Sequence, residues 1–180
     1  MVTDKFERTN IQDLFTFDWV SSPATWTTSA GSGSAMITTC SELLVGGYDK
    51  LGKNDWAQHT YTDLTPHYAA IISMRLFLID SWDNELINIY VDDSLVYSAK
   101  HNLNAFPFGF CSPSGAWVDA VFDRTTHIFP HFASTMTLYM NSTLSSPPDD
   151  ESFGFKSVQI TLFPCHSTCK TCVGPANTDC

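Results

Sequence analysis

Basic residues are scarce in this chain. Nine Lys and Arg stand against nineteen Asp and Glu over 180 residues, giving a formal charge of −10 at neutral pH. The nine never cluster, so no basic stripe exists to neutralise a phosphate backbone, and nucleic acid is excluded as a partner. Long apolar runs are also missing: no stretch of eighteen apolar residues occurs, so no segment reads as a membrane-crossing helix. The first ten residues, Met1-Val-Thr-Asp-Lys-Phe-Glu-Arg-Thr-Asn10, lack the apolar region of a signal peptide, so if the protein is secreted, either Met1 is an added start or the numbering follows removal of a leader. Helical periodicity is absent apart from one expected turn at residues 10–14. Catalytic signatures are lacking too. There is no G-x-S-x-G, H-E-x-x-H or phosphate-loop motif. His127 and His131 cannot form a helical metal pair across Pro130, and nineteen acids are too many to single out a hydrolytic carboxylate pair. The expectation is a protein that is not an enzyme.

What is present is a series of short period-two segments. The middle of the chain is Leu76-Phe-Leu-Ile-Asp-Ser-Trp-Asp-Asn-Glu-Leu-Ile-Asn-Ile-Tyr-Val-Asp-Asp-Ser-Leu-Val-Tyr97, whose apolar runs are broken by two acidic turns. It reads as three consecutive strands paired through tight turns. Further strands are expected at residues 14–20, 35–40, 43–49, 56–64, 68–79, 117–122, 135–140 and 157–162, with a flexible loop at 29–34 and glycines 46 and 47 at a turn or bulge. Ile72, Met74, Leu76 and Leu78 share one face of their run, as do Met136, Leu138 and Met140, and Val158, Ile160 and Leu162. Many short strands with turn signals imply an all-β fold, a two-layered antiparallel β-sandwich of jelly-roll type. A chain this long can bury a core of its own, roughly 70% of its unfolded surface.

Two features carry chemistry. Asp80, Asp83, Asn84 and Glu85 put hard oxygen donors on one turn, as calcium requires, with Asp49 and the Asp149-Asp150-Glu151 loop as groups that could approach in the fold. The competing reading is a set of solvated turn residues. Trp82, between these acids, is either a lid on the core or a ring on which a sugar stacks. Asn141-Ser-Thr143 is an N-glycosylation sequon. The six cysteines are uneven: Cys165, Cys169, Cys172 and Cys180 crowd the C-terminus and suit either disulfides or a four-thiolate zinc site, while Cys40 and Cys111 are candidates for a further disulfide.

The C-x3-C-x2-C-x-G-P-x4-C spacing of residues 165–180 resembles the furin-like repeat of growth-factor-receptor cysteine-rich regions. That resemblance implies pairing of Cys165 with Cys172 and of Cys169 with Cys180. Because such repeats continue into a further C-x2-C, the chain is expected to be an excerpt of a longer protein. Gly46-Gly-Tyr-Asp49, Leu64-Thr-Pro-His67, Ile79-Asp-Ser-Trp-Asp-Asn-Glu85, Tyr90-Val-Asp92 and Ser152-Phe-Gly-Phe-Lys156, followed by those cysteines, resemble ciliate secreted and surface proteins. In these a galactose-binding-like jelly roll precedes cysteine-rich arrays. The resemblance implies a β-sandwich domain over residues 1–163, the start of a furin-like repeat over 164–180, and an extracellular, cell-surface or ciliary-surface location. The principal expectation is a structural or adhesive module assembling with other protein subunits. The alternative is a calcium-dependent carbohydrate-binding module contacting surface glycans, with Trp82 at its site.

Overall fold

Residues rich in Val, Ile and aromatics with period-two spacing bury one face when they pair, and the chain solves this with two packed sheets. The computed structural model describes residues 9–12, 26–29, 31–32, 36–103, 109, 111 and 118–180. Among them are thirteen strands and no α-helix: β1 Thr9–Gln12, β2 Thr27–Thr28, β3 Gly31–Ser32, β4 Ile37–Cys40, β5 Glu42–Gly46, β6 Trp56–Tyr61, β7 His67–Asp80, β8 Asp83–Val91, β9 Ser94–Asn102, β10 Ala120–Thr125, β11 Phe129–Pro130, β12 Met136–Ser142 and β13 Glu151–Pro164. One sheet has the order β10-β7-β13-β5-β4, with β1 added to β13 and β11 to β7; the other has the order β3-β2-β6-β12-β8-β9. All pairings are antiparallel. From β7 onward the chain passes repeatedly between the layers, which makes the sandwich a jelly roll.

The core lies where the inner faces meet. Ile72, Met74, Leu76, Leu78, Phe153, Phe155, Val158, Ile160 and Leu162 of the first sheet are buried against Ile87, Ile89, Met136, Leu138 and Met140 of the second. Of these, Ile72 to Leu78, Met136 to Met140 and Val158 to Leu162 are the alternating sets read from the sequence. On the opposite face of the first sheet, Arg75 bridges Asp123 at 2.9 Å and Glu42 at 3.0 Å, and Lys156 also binds Glu42. Phe77 on that face is buried nonetheless, packed with Cys40, Leu44 and Cys111. Gly46 and Gly47 make the turn after β5 with φ of +74° and +94°. A Cβ on Gly46 would lie 2.7 Å from the Phe153 carbonyl oxygen, so only glycine fits both conformation and space.

Three expectations are corrected. Strands β7 and β8 do not pair: Asp80-Ser81-Trp82 is a corner that carries the chain from one sheet to the other. Its sharpness comes from Asp80 at φ +67° and a bond from the Trp82 N–H to the Asp80 carbonyl at 2.9 Å. Residues 10–12 belong to β1, not to a helical turn, because Asn10 to Gln12 pair with Thr161 to Gln159. Gly31 and Ser32, expected in a loop, pair with β2 as a short hairpin. The cysteines pair as expected, Cys165 with Cys172, Cys169 with Cys180 and Cys40 with Cys111, and with all four C-terminal thiols in disulfides the competing zinc reading falls. The strand expected at 14–20 lies outside the described residues. No helix among those residues is long and apolar enough to cross a membrane.

Candidate functional site

The residues of the acidic turn after β7 have four fates. Trp82 is fully buried, and its indole Nε1–H donates to the Ser152 carbonyl at 3.0 Å. It is a lid on the core and offers no ring face to a sugar, which corrects its expected role at a ligand site. Asp80 is buried beside Asp119, whose Oδ1 accepts its backbone N–H at 3.0 Å while Oδ2 accepts that of Cys111 at 2.6 Å. Asn84 is exposed at φ +101°.

Asp83 and Glu85 go elsewhere. They are two residues apart on β8, the spacing that puts side chains on one face of a strand, and a register shift lies between them. Glu151 reaches them from β13, whose first residue is set opposite Asp80 by the β7 register. One carboxylate oxygen from each of Asp83, Glu85 and Glu151 falls within 4.8 Å of the others. Glu85 and Glu151 are buried. Burial first, then hydrogen bonding to Asp83 and the charge of Glu151, holds the Glu85 carboxyl above its ordinary pKa. Glu151 is pushed up by burial, then by the charges of Asp150 and Asp83. Its Oε2 is buried with no hydrogen-bond partner. The cross-strand neighbour of Glu85 is His101, whose pKa burial and Arg124 both lower, so it brings no compensating charge. Three hard, mutually repelling oxygen ligands with one orphaned buried atom fit a divalent cation of the calcium type. Asp80 and Asp49 do not join this group.

A second constellation went unread in the sequence. On the outer face of the six-stranded sheet, Trp56, Tyr139 and Tyr90 are partly exposed neighbours. Trp56 stacks on Tyr139 with ring centroids 5.9 Å apart, and Tyr90 meets Tyr139 edge-on at 5.8 Å. Register puts amides beside them: Asn141 lies opposite Trp56 and Asn88, and Gln58 lies opposite Tyr139. Ser98 donates to Asn88 at 2.7 Å, and Asn88 donates to Asn141 at 3.1 Å. The outcome is an aromatic strip flanked by the partly exposed amides of Gln58 and Asn141, the latter held by the buried Asn88. A sugar's C–H face can lie on such rings while its hydroxyls exchange hydrogen bonds with the amides. The signal in the sequence was the aromatic and polar alternation at 56–61 and 136–142, but which aromatics adjoin is set by register, which composition does not show. The sequon residue Asn141 lies within this strip.

At one end of the sandwich, His67 Nε2 lies 2.6 Å from His131 Nδ1, and His131 Nε2 lies 3.0 Å from Asp92 Oδ2. His67 Nδ1 donates to the Thr65 carbonyl, and burial lowers the His67 pKa. This chain ties the start of β7 to the β8–β9 turn, with its ring nitrogens already engaged.

No family model matches the sequence, and no curated protein matches it. Solved structures similar to it include the xylan-binding module CBM15, at 16% identity and a TM-score of 0.46 over 89% of this chain and 100% of that one. Carbohydrate-binding module CBM36 in complex with calcium and xylotriose is similar at 12% identity and a TM-score of 0.35 over 66% and 77%. Dimeric latent PorU from Porphyromonas gingivalis is similar at 7% identity and a TM-score of 0.44 over 63% of this chain, which spans only 11% of PorU's length. Likeness this distant assigns no ligand.

Proposed function

We propose that the chain is a non-catalytic carbohydrate-binding module that holds glycans on the outer face of its six-stranded sheet and uses calcium to fix the corner behind it. The observation that carries this reading is the contiguous, partly exposed row of Trp56, Tyr139 and Tyr90, flanked by the partly exposed Gln58 and Asn141, with the buried Asn88 holding Asn141 in place. The open strip suits an extended saccharide, whose successive rings stack in turn. Stacking alone discriminates little between sugars, so selectivity falls to the amides, which reject hydroxyls in the wrong place by leaving polar groups unpaired.

Asp83, Glu85 and Glu151 would hold the cation. An ion there neutralises their repulsion and ties the first turn of β8 to the start of β13. It acts on order and stability. The structural or adhesive reading, first in the sequence, yields to the glycan-binding one because the observed surface is an aromatic and amide face. The disulfides suit an extracellular or cell-surface protein, and residues 164–180 suit the opening of a furin-like repeat.

The test is a glycan-array screen with calcium present, followed by titration of the best saccharide into wild type and Tyr139→Ala. Saturable binding that weakens tenfold or more in the variant, about 1.4 kcal/mol, is the expected result. A folded wild-type protein that binds no glycan on the array would defeat this reading.

A further inference from the structure

The sequon lies in an unusual place. Asn141 is on the central strand β12, between β6 and β8, and its side chain is on the same outer face as Tyr139 two residues earlier. Its cross-strand neighbours are Trp56 on one side and Asn88 on the other. The Asn88 amide donates to Asn141 Oδ1 at 3.1 Å, and Asn88 is itself held by Ser98. The oxygen and nitrogen of a carboxamide diverge from Cγ. With Oδ1 bonded to Asn88 on β8, Nδ2 is the amide atom left out of that bond, and the cross-strand neighbour on the other side is Trp56. A sugar attached there begins its course beside the stacked Trp56 and Tyr139 rings.

We infer that Asn141 is a modification site whose N-linked glycan folds back onto the Trp56–Tyr139 strip and closes it to other sugars. The inference rests on the glycan-binding reading, which it extends to regulation. The donor is an oligosaccharide carried on a lipid pyrophosphate. Asn141 Nδ2 forms a bond to the anomeric carbon, the bond from that carbon to the pyrophosphate oxygen breaks, the lipid pyrophosphate leaves, and one amide proton passes to the transferase's base. The reaction must precede folding. In the folded sheet β12 is paired on both sides, and the third sequon residue, Thr143, has its hydroxyl taken by the Leu86 N–H at 2.8 Å. Transfer to the extended, unpaired segment is followed by sheet closure, which brings Trp56 alongside.

The attached sugar is present at a high effective concentration over the rings, so even weak stacking competes with free saccharide. The modification state therefore selects between a chain that binds external glycans and one whose strip is covered.

The experiment compares the unaltered chain made in a secretory, glycosylating host with the same chain made in a non-glycosylating host that forms disulfides. Intact mass and peptide mapping report occupancy of Asn141. Both forms are then titrated with the saccharide that binds the unglycosylated protein. Occupancy with at least tenfold weaker binding is the expected result. An unoccupied Asn141 in the secretory host, or an occupied one with unchanged affinity, would overturn the inference and leave the glycan-binding reading standing. If the unglycosylated form binds no saccharide, that reading fails, and the inference is decided by melting temperature. The glycan should raise it in wild type and not in Tyr139→Ala; an equal rise in both overturns the inference.

Discussion

Trp82 and Trp56 are the same side chain with opposite duties. Trp82 is fully buried and donates to the Ser152 carbonyl. Trp82→Ala removes that donor and opens a large cavity, and chemical denaturation should show a loss of about 3–5 kcal/mol. Trp56 is partly exposed and rests on Tyr139. Trp56→Ala should cost roughly 1 kcal/mol of stability or less while weakening saccharide binding tenfold or more, read by calorimetric titration. Sequence offered both fates for Trp82 and could not choose, because a ring between acidic turn residues is a lid or a ligand contact according to where the turn bends. Trp56 was invisible as a site because Tyr139 lies more than eighty positions further on and only pairing brings it near.

The carboxylates give a pH dependence of known sign. Glu85 and Glu151 have raised pKa values in the fold, so the folded chain holds their protons more tightly than the unfolded one. Without a cation, their contribution costs stability as pH rises through those raised values to neutrality, and the cost vanishes below the ordinary carboxylate range. Calcium binds the deprotonated form, so its stabilising effect should grow over the same rise in pH. Melting curves from acid to neutral pH, with calcium or with chelator, should diverge upward in pH. Glu151→Gln should shrink that divergence.

Among the elements, β7, β13 and the corner at residues 80–82 decide the layout. Strand β13 pairs with β7 along nearly its whole length, then with β5 at Gly154 and Phe155 and with β1 at residues 159–162. At Gly154 a Cβ would lie 2.7 Å from the Gly47 nitrogen, so the two strands approach too closely for a side chain. Gly154→Ala should separate β13 from β5 and cost about 1–3 kcal/mol, with earlier proteolytic cleavage near residues 46–50. The strands themselves were legible because alternation such as Met136, Leu138 and Met140 dictates a buried face. Sheet membership was not legible. A period-two pattern names the face that seeks the core but not the neighbour, so β7 and β8 were read as partners although they lie in different layers. The helical turn expected at residues 10–14 gave way over residues 10–12 for a related reason: local preference yielded to a free edge of β13 that needed a partner.

At the scale of the molecule, a sandwich with an acidic balance of −10 concentrates part of that charge at one corner and keeps an aromatic and amide strip on one outer face. The corner was half legible: Asp83 and Glu85 stood in the expected turn, and Glu151 came from a loop anticipated to approach, but Asp80 went to Asp119. The ion and the strip have separable effects. Saturating calcium, at about a hundred times its dissociation constant, should add roughly 2.7 kcal/mol, or about 5–10 °C in melting temperature for a domain of this size. Chelation should reverse the gain.

The most direct test of glycan binding on the outer sheet face is to titrate wild type, Trp56→Ala and Trp82→Phe with the best array saccharide in calcium. Saturable binding by wild type and Trp82→Phe, with at least tenfold loss in a folded Trp56→Ala, is the expected result. Binding that survives Trp56→Ala unchanged, or that is lost in a folded Trp82→Phe, would place the sugar elsewhere and contradict the assignment of the strip as the site.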